Sequence, residues 1–236
     1  MLRSLKQFYQ NNRFLCILEL CTLVLVLGTA IAFKQSILQL LPLCISLVIM
    51  FLQAQVNRYA FLLGGLNSIL YAISYFSMTL YTSAVYALVV SFPLQIITFI
   101  NWQKRTKGNQ TELRRLSKGQ LILLIVGCIV AWLFLFAVFS LAGSPYMILD
   151  NTSSLLGIVV TVLTMLRFME YAPLQVISGI VGLILHISVF LDTPSQITYV
   201  IYSVYSIICI LLAICRMYRT QKAQKEAAPV ASDSEA

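Results

Sequence analysis

The stretch Leu121-Ile-Leu-Leu-Ile-Val-Gly-Cys-Ile-Val-Ala-Trp-Leu-Phe-Leu-Phe-Ala-Val-Phe-Ser-Leu-Ala142 carries no charged side chain and is apolar on every face of a helix. A helix of that kind touches only lipid and packed side chains. Crossing about 30 Å of hydrocarbon takes roughly 17–25 apolar residues, and only a helix satisfies its own backbone there. Seven further stretches meet the same test, at Phe14–Phe33, Ile37–Gln53, Phe61–Met78, Thr82–Trp102, Met147–Phe168, Leu174–Leu191 and Tyr199–Arg216. The 236-residue composition agrees: 60% hydrophobic and 10% charged, with a mean hydropathy of +0.89. The fold class is therefore an all-α polytopic membrane protein with about eight transmembrane helices, and the lipid bilayer is its solvent.

The net charge of +8 acquires meaning once the spans are drawn. Arg3, Lys6 and Arg13 precede the first span, and Arg58, the run from Lys104 to Lys118, Arg167 and Arg216–Lys225 occupy alternate connections. Fifteen of the sixteen basic residues thus share one side, with Lys34 alone on the other. The positive-inside rule then predicts cytoplasmic N- and C-termini, in a multi-pass protein of the cell membrane. Nucleic acid is excluded as a partner, since the basic run is broken by Gly108 and Glu112 and holds no aromatic residue on which bases could stack.

The six cysteines lie within or at the ends of spans without a C-x-x-C pair, and read as small hydrophobes. One histidine, His186, cannot build a metal site, so no metal is expected. Basic residues, an apolar run and Ala30-Ile31-Ala32 imitate a secretory signal. Glu19 within the run and its full spanning length favour a retained helix. No phosphate loop, no H-E-x-x-H pair and no lysine within a span occurs, and no nucleophile, base and orienting group stand together. The expectation is a protein that is not an enzyme and uses no cofactor. The scarcity of acidic residues in the spans points to passive, alternating-access movement.

An offset of 111 residues aligns spans two to four with spans six to eight, placing Asn67 over Ser178, Tyr75 over His186, Ser91 over Tyr202, Gln95 over Ser206 and Arg105 over Arg216. The units are separated by an even number of spans, so they form a parallel repeat, and Leu121–Ala142 is the inverting linker. The predicted organisation is residues 1–35 as N-terminus and additional first helix, 36–105 as the first three-helix repeat, 106–145 as basic loop and linker helix, 146–218 as the second repeat, and 219–236 as a disordered tail.

Polar side chains at membrane depth are costly unless they meet a partner or a wet cavity. Helical spacing groups Asn67, Tyr71 and Ser74 on span three and Ser91 and Gln95 on span four. It also groups Gln175, Ser178, Gly182 and His186 on span seven, and Tyr199, Tyr202 and Ser206 on span eight. Span six adds Asp150, Ser153, Ser154, Gly157, Thr161 and Thr164. Serine, threonine and glycine also serve close helix packing. Asn67 and Gln95 stand apart, because packing rarely satisfies the four hydrogen-bonding sites of a primary amide. For His186, whose repeat-mate is a tyrosine, the expectation is an aromatic hydrogen-bonding role.

Phe61-Leu-Leu-Gly-Gly-Leu-Asn-Ser-Ile-Leu-Tyr71, Leu80-Tyr81, Phe92-Pro-Leu-Gln95 and Asn101-Trp102 resemble the first repeat of PnuC-type vitamin transporters. Leu113-Arg-Arg-Leu-Ser117, Asp150-Asn-Thr-Ser-Ser154, Leu155-Leu-Gly-Ile158 and Arg167-Phe-Met-Glu170 look like that family's linker and second-repeat landmarks, over residues 36–216. The resemblance implies a 3 + 1 + 3 fold like that of SWEET sugar transporters, a homotrimer, and facilitated diffusion of nicotinamide riboside or a related small-molecule vitamin, trapped by cytosolic phosphorylation. By position it makes Asn67, Tyr71 and Gln95 first-repeat binding residues and places Asp150, Thr152 and Ser154 at the second-repeat site. The polar stripes add Gln175, Ser178, His186 and Tyr202. Where the family usually has two tryptophans and an asparagine, this chain has Ala172, Gln175 and Ser178 or Gly179. That wall has no stacking surface for a pyridinium ring, so thiamine, riboflavin, deoxynucleosides and sugars remain open as alternatives. So does a different class, a non-transporting membrane receptor or assembly factor.

Overall fold

In a computed structural model, residues 12–55, 57–104, 115–141, 143, 145–166 and 168–227 are described. The helices are α1 (Arg13–Ala32), α2 (Ile37–Ala54), α3 (Tyr59–Ser77), α4, α5 (Lys118–Ser140), α6 (Met147–Leu166), α7 (Tyr171–Asp192) and α8 (Ile197–Ala227). Helix α4 is continuous but irregular, running through Tyr81–Val85, a π segment Tyr86–Ser91, and Phe92–Lys104. Eight helical spans are long and apolar enough to cross a membrane. The expected first eleven residues, the middle of the basic loop and the landmark Arg167 lie outside the described residues. So does the tail from residue 228; residues 219–227, expected to belong to it, instead continue α8.

The two proline-bearing helices of the first repeat depart from regularity for a common reason. Proline offers no N–H to the carbonyl four residues back and crowds it. In α2, Pro42 frees the carbonyl of Leu38, which accepts instead from Ser74 Oγ at 2.8 Å, so the break becomes a tie to α3. In α4, Pro93 removes the donor that Val89 would meet, and the turn ahead of it widens into the π segment.

Chain order is reflected in packing. Helices α2, α3 and α4 pack together, as do α6, α7 and α8, while α4 meets α6 and α8 meets α2 across the two units. The additional helix α1 lies against α8 and α2, where Leu15 joins Leu47, Met50, Ala54, Tyr205 and Cys209 in a buried cluster. Lipid offers apolar groups no reason to leave it, so such contacts hold by close packing and hydrogen bonds. The linker α5 begins on a capping box, with Ser117 Oγ accepting from Gln120 N and Gln120 Oε1 from Ser117 N. It buries no residue and meets mainly α6. Its clearest polar tie is Trp132 Nε1 donating to Thr152 Oγ1 at 3.1 Å.

Candidate functional site: a cavity between the two repeats

A cavity of about 360 Å³ lies between the units. Its walls are Gln53 of α2, Asn57 and Phe61 at the start of α3, Tyr86, Gln95 and Thr98 of α4, Ser153, Gly157, Thr161 and Thr164 of α6, Tyr171, Gln175 and Ser178 of α7, and Tyr202 and Ser206 of α8. Gln53, Asn57, Tyr171 and the far end of α8 lie beside Arg58, Glu170 and Arg216. The cavity therefore occupies the half of the molecule that ends in the basic connections. None of its described lining residues carries a formal charge. The volume falls in the range of small-molecule sites, roughly 300–1,000 Å³.

Gln95 is held by its surroundings. Its Nε2 donates to Ser91 Oγ at 2.7 Å and to Ser68 Oγ at 3.3 Å, and the two serine oxygens lie 3.0 Å apart. Its Oε1 rests over Gly64, where a Cβ would stand 2.1 Å away. Any larger residue at position 64 would displace the amide. Gln53 also lines the cavity, and its Oε1 is buried without a protein partner. A buried acceptor left unpaired costs about 1–3 kcal/mol.

Tyr86 is the aromatic that periodicity overlooked. It stands five positions before Ser91, a spacing that an α-helix would turn away from Gln95 but that the π segment brings round. Its ring lies across Gly157, where a Cβ would approach Cζ and Oη to 2.9 Å, and its hydroxyl is 3.1 Å from Thr161 Oγ1. Pro93 is the sequence signal that could have located it. Tyr171, Phe61 and Gln53 were also missed, because they sit at span ends where polar periodicity gives out.

Among the sequence-predicted residues, Gln95, Gln175, Ser178 and Tyr202 meet at this cavity. The other six stand elsewhere. Asn67 is sealed between α2 and α3, its Nδ2 donating to Pro42 O and Ser46 Oγ, both at 2.9 Å, while its Oδ1 has no partner. Ser46 Oγ in turn donates to Tyr71 Oη at 2.9 Å. Tyr71 stacks on Tyr75, with centroids 5.2 Å apart. Both pack against a buried layer of Leu43, Met78, Leu80, Leu185, Val189 and Tyr199, which Tyr202 also joins. His186 lies against Tyr199 in this region, its Nδ1 2.7 Å from Ser203 Oγ. Thr152 faces α5, as described above.

Asp150 and Ser154 belong to a separate buried cluster. The Asp150 carboxylate accepts from Thr82 N at 3.0 Å, Ser83 N at 3.1 Å and Ser83 Oγ, capping the start of α4. Thr82 Oγ1 donates to Asn151 Oδ1 at 2.6 Å, and Ser83 Oγ is 3.1 Å from Ser154 Oγ. The group is almost wholly buried, with Asp150 and Asn151 at 0% exposure. Such bonds to a carboxylate contribute about 1.5–3 kcal/mol each.

Eight apolar spans, two three-helix units joined by a further helix, and a polar cavity between them whose described lining residues carry no formal charge have the form of a membrane transporter. The family model described as nicotinamide mononucleotide transporter matches residues 36–215, and the chain belongs to that family. Among solved structures, the fold is similar to that in "Crystal structure of the Vitamin B3 transporter PnuC", with a TM-score of 0.67, 20% identity, and coverage of 86% of this chain and 92% of that one. Comparison with curated proteins gives no match.

Proposed function

We propose that the protein mediates facilitated diffusion of an unphosphorylated, nucleoside-like vitamin precursor, nicotinamide riboside foremost, which a cytosolic kinase then traps. The observation that carries this reading is that the described lining residues of the cavity are polar or apolar and carry no charge. Fixed amides and hydroxyls suit ribose hydroxyls, and Tyr86, Tyr171, Tyr202 and Phe61 supply ring surface in place of the absent tryptophans. A phosphate dianion would find no guanidinium or ammonium among the described lining residues, so the nucleoside is favoured over the mononucleotide of the family's description. The family's vitamin B3 relative supports the same substrate class. The reading includes the cell membrane as location, cytoplasmic termini following the basic connections, and a homotrimeric assembly.

Proteoliposomes loaded with the purified protein test it. Labelled nicotinamide riboside is expected to enter, with nicotinamide mononucleotide excluded. Parallel arms with thiamine, riboflavin, deoxynucleosides and sugars separate the other solutes, and uptake of none of them would reject transport of this class.

A further inference from the structure

The half of the molecule away from the basic connections is spanned by polar ties that cross between the repeats, and they come as a related pair. One is the Asp150 cluster, joining the first helix of the second repeat to the start of the third helix of the first repeat. The other centres on Gln39, which joins the first helix of the first repeat to the start of the third helix of the second. Gln39 Oε1 accepts from Gln196 Nε2 at 3.2 Å, and Gln39 O accepts from Tyr199 Oη at 3.2 Å. Gln35 reinforces it, with Oε1 accepting from Thr198 Oγ1 at 2.8 Å. Gln39 and Asp150 are 111 residues apart, the offset of the repeat itself.

We infer that Gln39 and Asp150 are the two symmetry-related halves of a gate, closed in this structure, whose release exposes the cavity to the side opposite the basic connections. Three observations converge. None of the residues that form the two ties lines the cavity, and both ties stand at the helix ends away from the basic connections. Each tie joins the two repeats rather than bracing one of them, so relative movement of the repeats must break both. The Asp150 cluster is also incompletely satisfied, since Asn151 Nδ2 is buried there without a partner. That unmet donor opposes closure and brings the closed and open states nearer in free energy. The inference rests on the transport reading, and its test includes a readout independent of any substrate.

In a background with all six cysteines replaced, a single reporter Ser153→Cys in the cavity wall is labelled by a membrane-impermeant maleimide added on the side opposite the basic connections. Gln39→Ala and Asp150→Asn are each expected to raise the labelling rate about fivefold or more, and the double variant further, as the closed population falls. Unchanged labelling in both folded variants overturns the gate, whether or not any solute is carried. The converse experiment locks it. Ser83→Cys with Ser154→Cys, whose hydroxyl oxygens lie 3.1 Å apart, is oxidised by added copper(II)–phenanthroline. The resulting disulfide should cut nicotinamide riboside uptake about tenfold or more, reversibly on reduction, and abolish reporter labelling while the thermal shift produced by nicotinamide riboside persists. Labelling that continues at the reduced rate in the oxidised protein overturns the proposal. Uptake of no compound, with labelling responding as stated, rejects the transport reading and leaves the gate standing.

Discussion

At the scale of single residues, the cavity depends on two glycines that let side chains lie where they do. Gly64 seats the Gln95 amide and Gly157 seats the Tyr86 ring. Gly157→Ala drives a methyl group into that ring and breaks its approach to Thr161, so uptake should fall at least tenfold, with about 1–3 kcal/mol lost from overpacking. Initial-rate measurements beside thermal unfolding would check both effects. Gln95→Leu is the complementary case. Ser68 and Ser91 remain paired with each other, so folding should change by about 1 kcal/mol or less, whereas uptake should drop about tenfold or more if the amide binds solute. A receptor or assembly factor would retain its function in that variant.

The residue scale is also where sequence reasoning reached its limit. Asn67 has the spacing of a pathway residue, yet Pro42 opens a carbonyl on the neighbouring helix and the amide turns to it. Asp150 has the position of a binding carboxylate, yet the unpaired N–H groups of Thr82 and Ser83 claim it. Both outcomes depend on a second helix that periodicity along one chain cannot see. Gln95, Gln175, Ser178 and Tyr202 could be placed on the cavity wall from the inward polar stripe of their helices, although Gln95 also pairs with Ser68 and Ser91 and Tyr202 also joins the buried layer.

Among the elements, spans and their order were read within a few residues, since the length of an apolar run is a property of the chain alone. The π segment of α4 was not, because it arises from one proline acting on the turn ahead of it. Tight connections at the end opposite the basic residues carry strain that sequence also hides. Between α3 and α4, Thr79 adopts φ +58°, a left-handed conformation that a β-branched residue rarely takes. Asparagine enters that region far more readily, so Thr79→Asn should stabilise the protein by about 1 kcal/mol, read as a higher unfolding temperature in detergent.

For the molecule as a whole, alternate placement of basic residues and the 111-residue offset were enough to read the 3 + 1 + 3 architecture, because both are long-range regularities that survive weak identity. With no described charged group in the cavity to bind a coupling ion, dissipating a proton or sodium gradient should leave the initial rate of uptake unchanged. Without a trapping kinase, a neutral solute should stop at equal internal and external concentration.

The lining of the cavity has an electrical corollary. Its described lining residues carry no charge through the membrane field as the empty carrier reorients, so voltage sensed there during a cycle belongs to the solute. A pyridinium nucleoside moving inward at 100 mV, negative inside, would gain about 2.3 kcal/mol per charge, whereas an uncharged nucleoside or sugar would gain nothing. The voltage dependence of uptake thus reports the charge of the natural cargo.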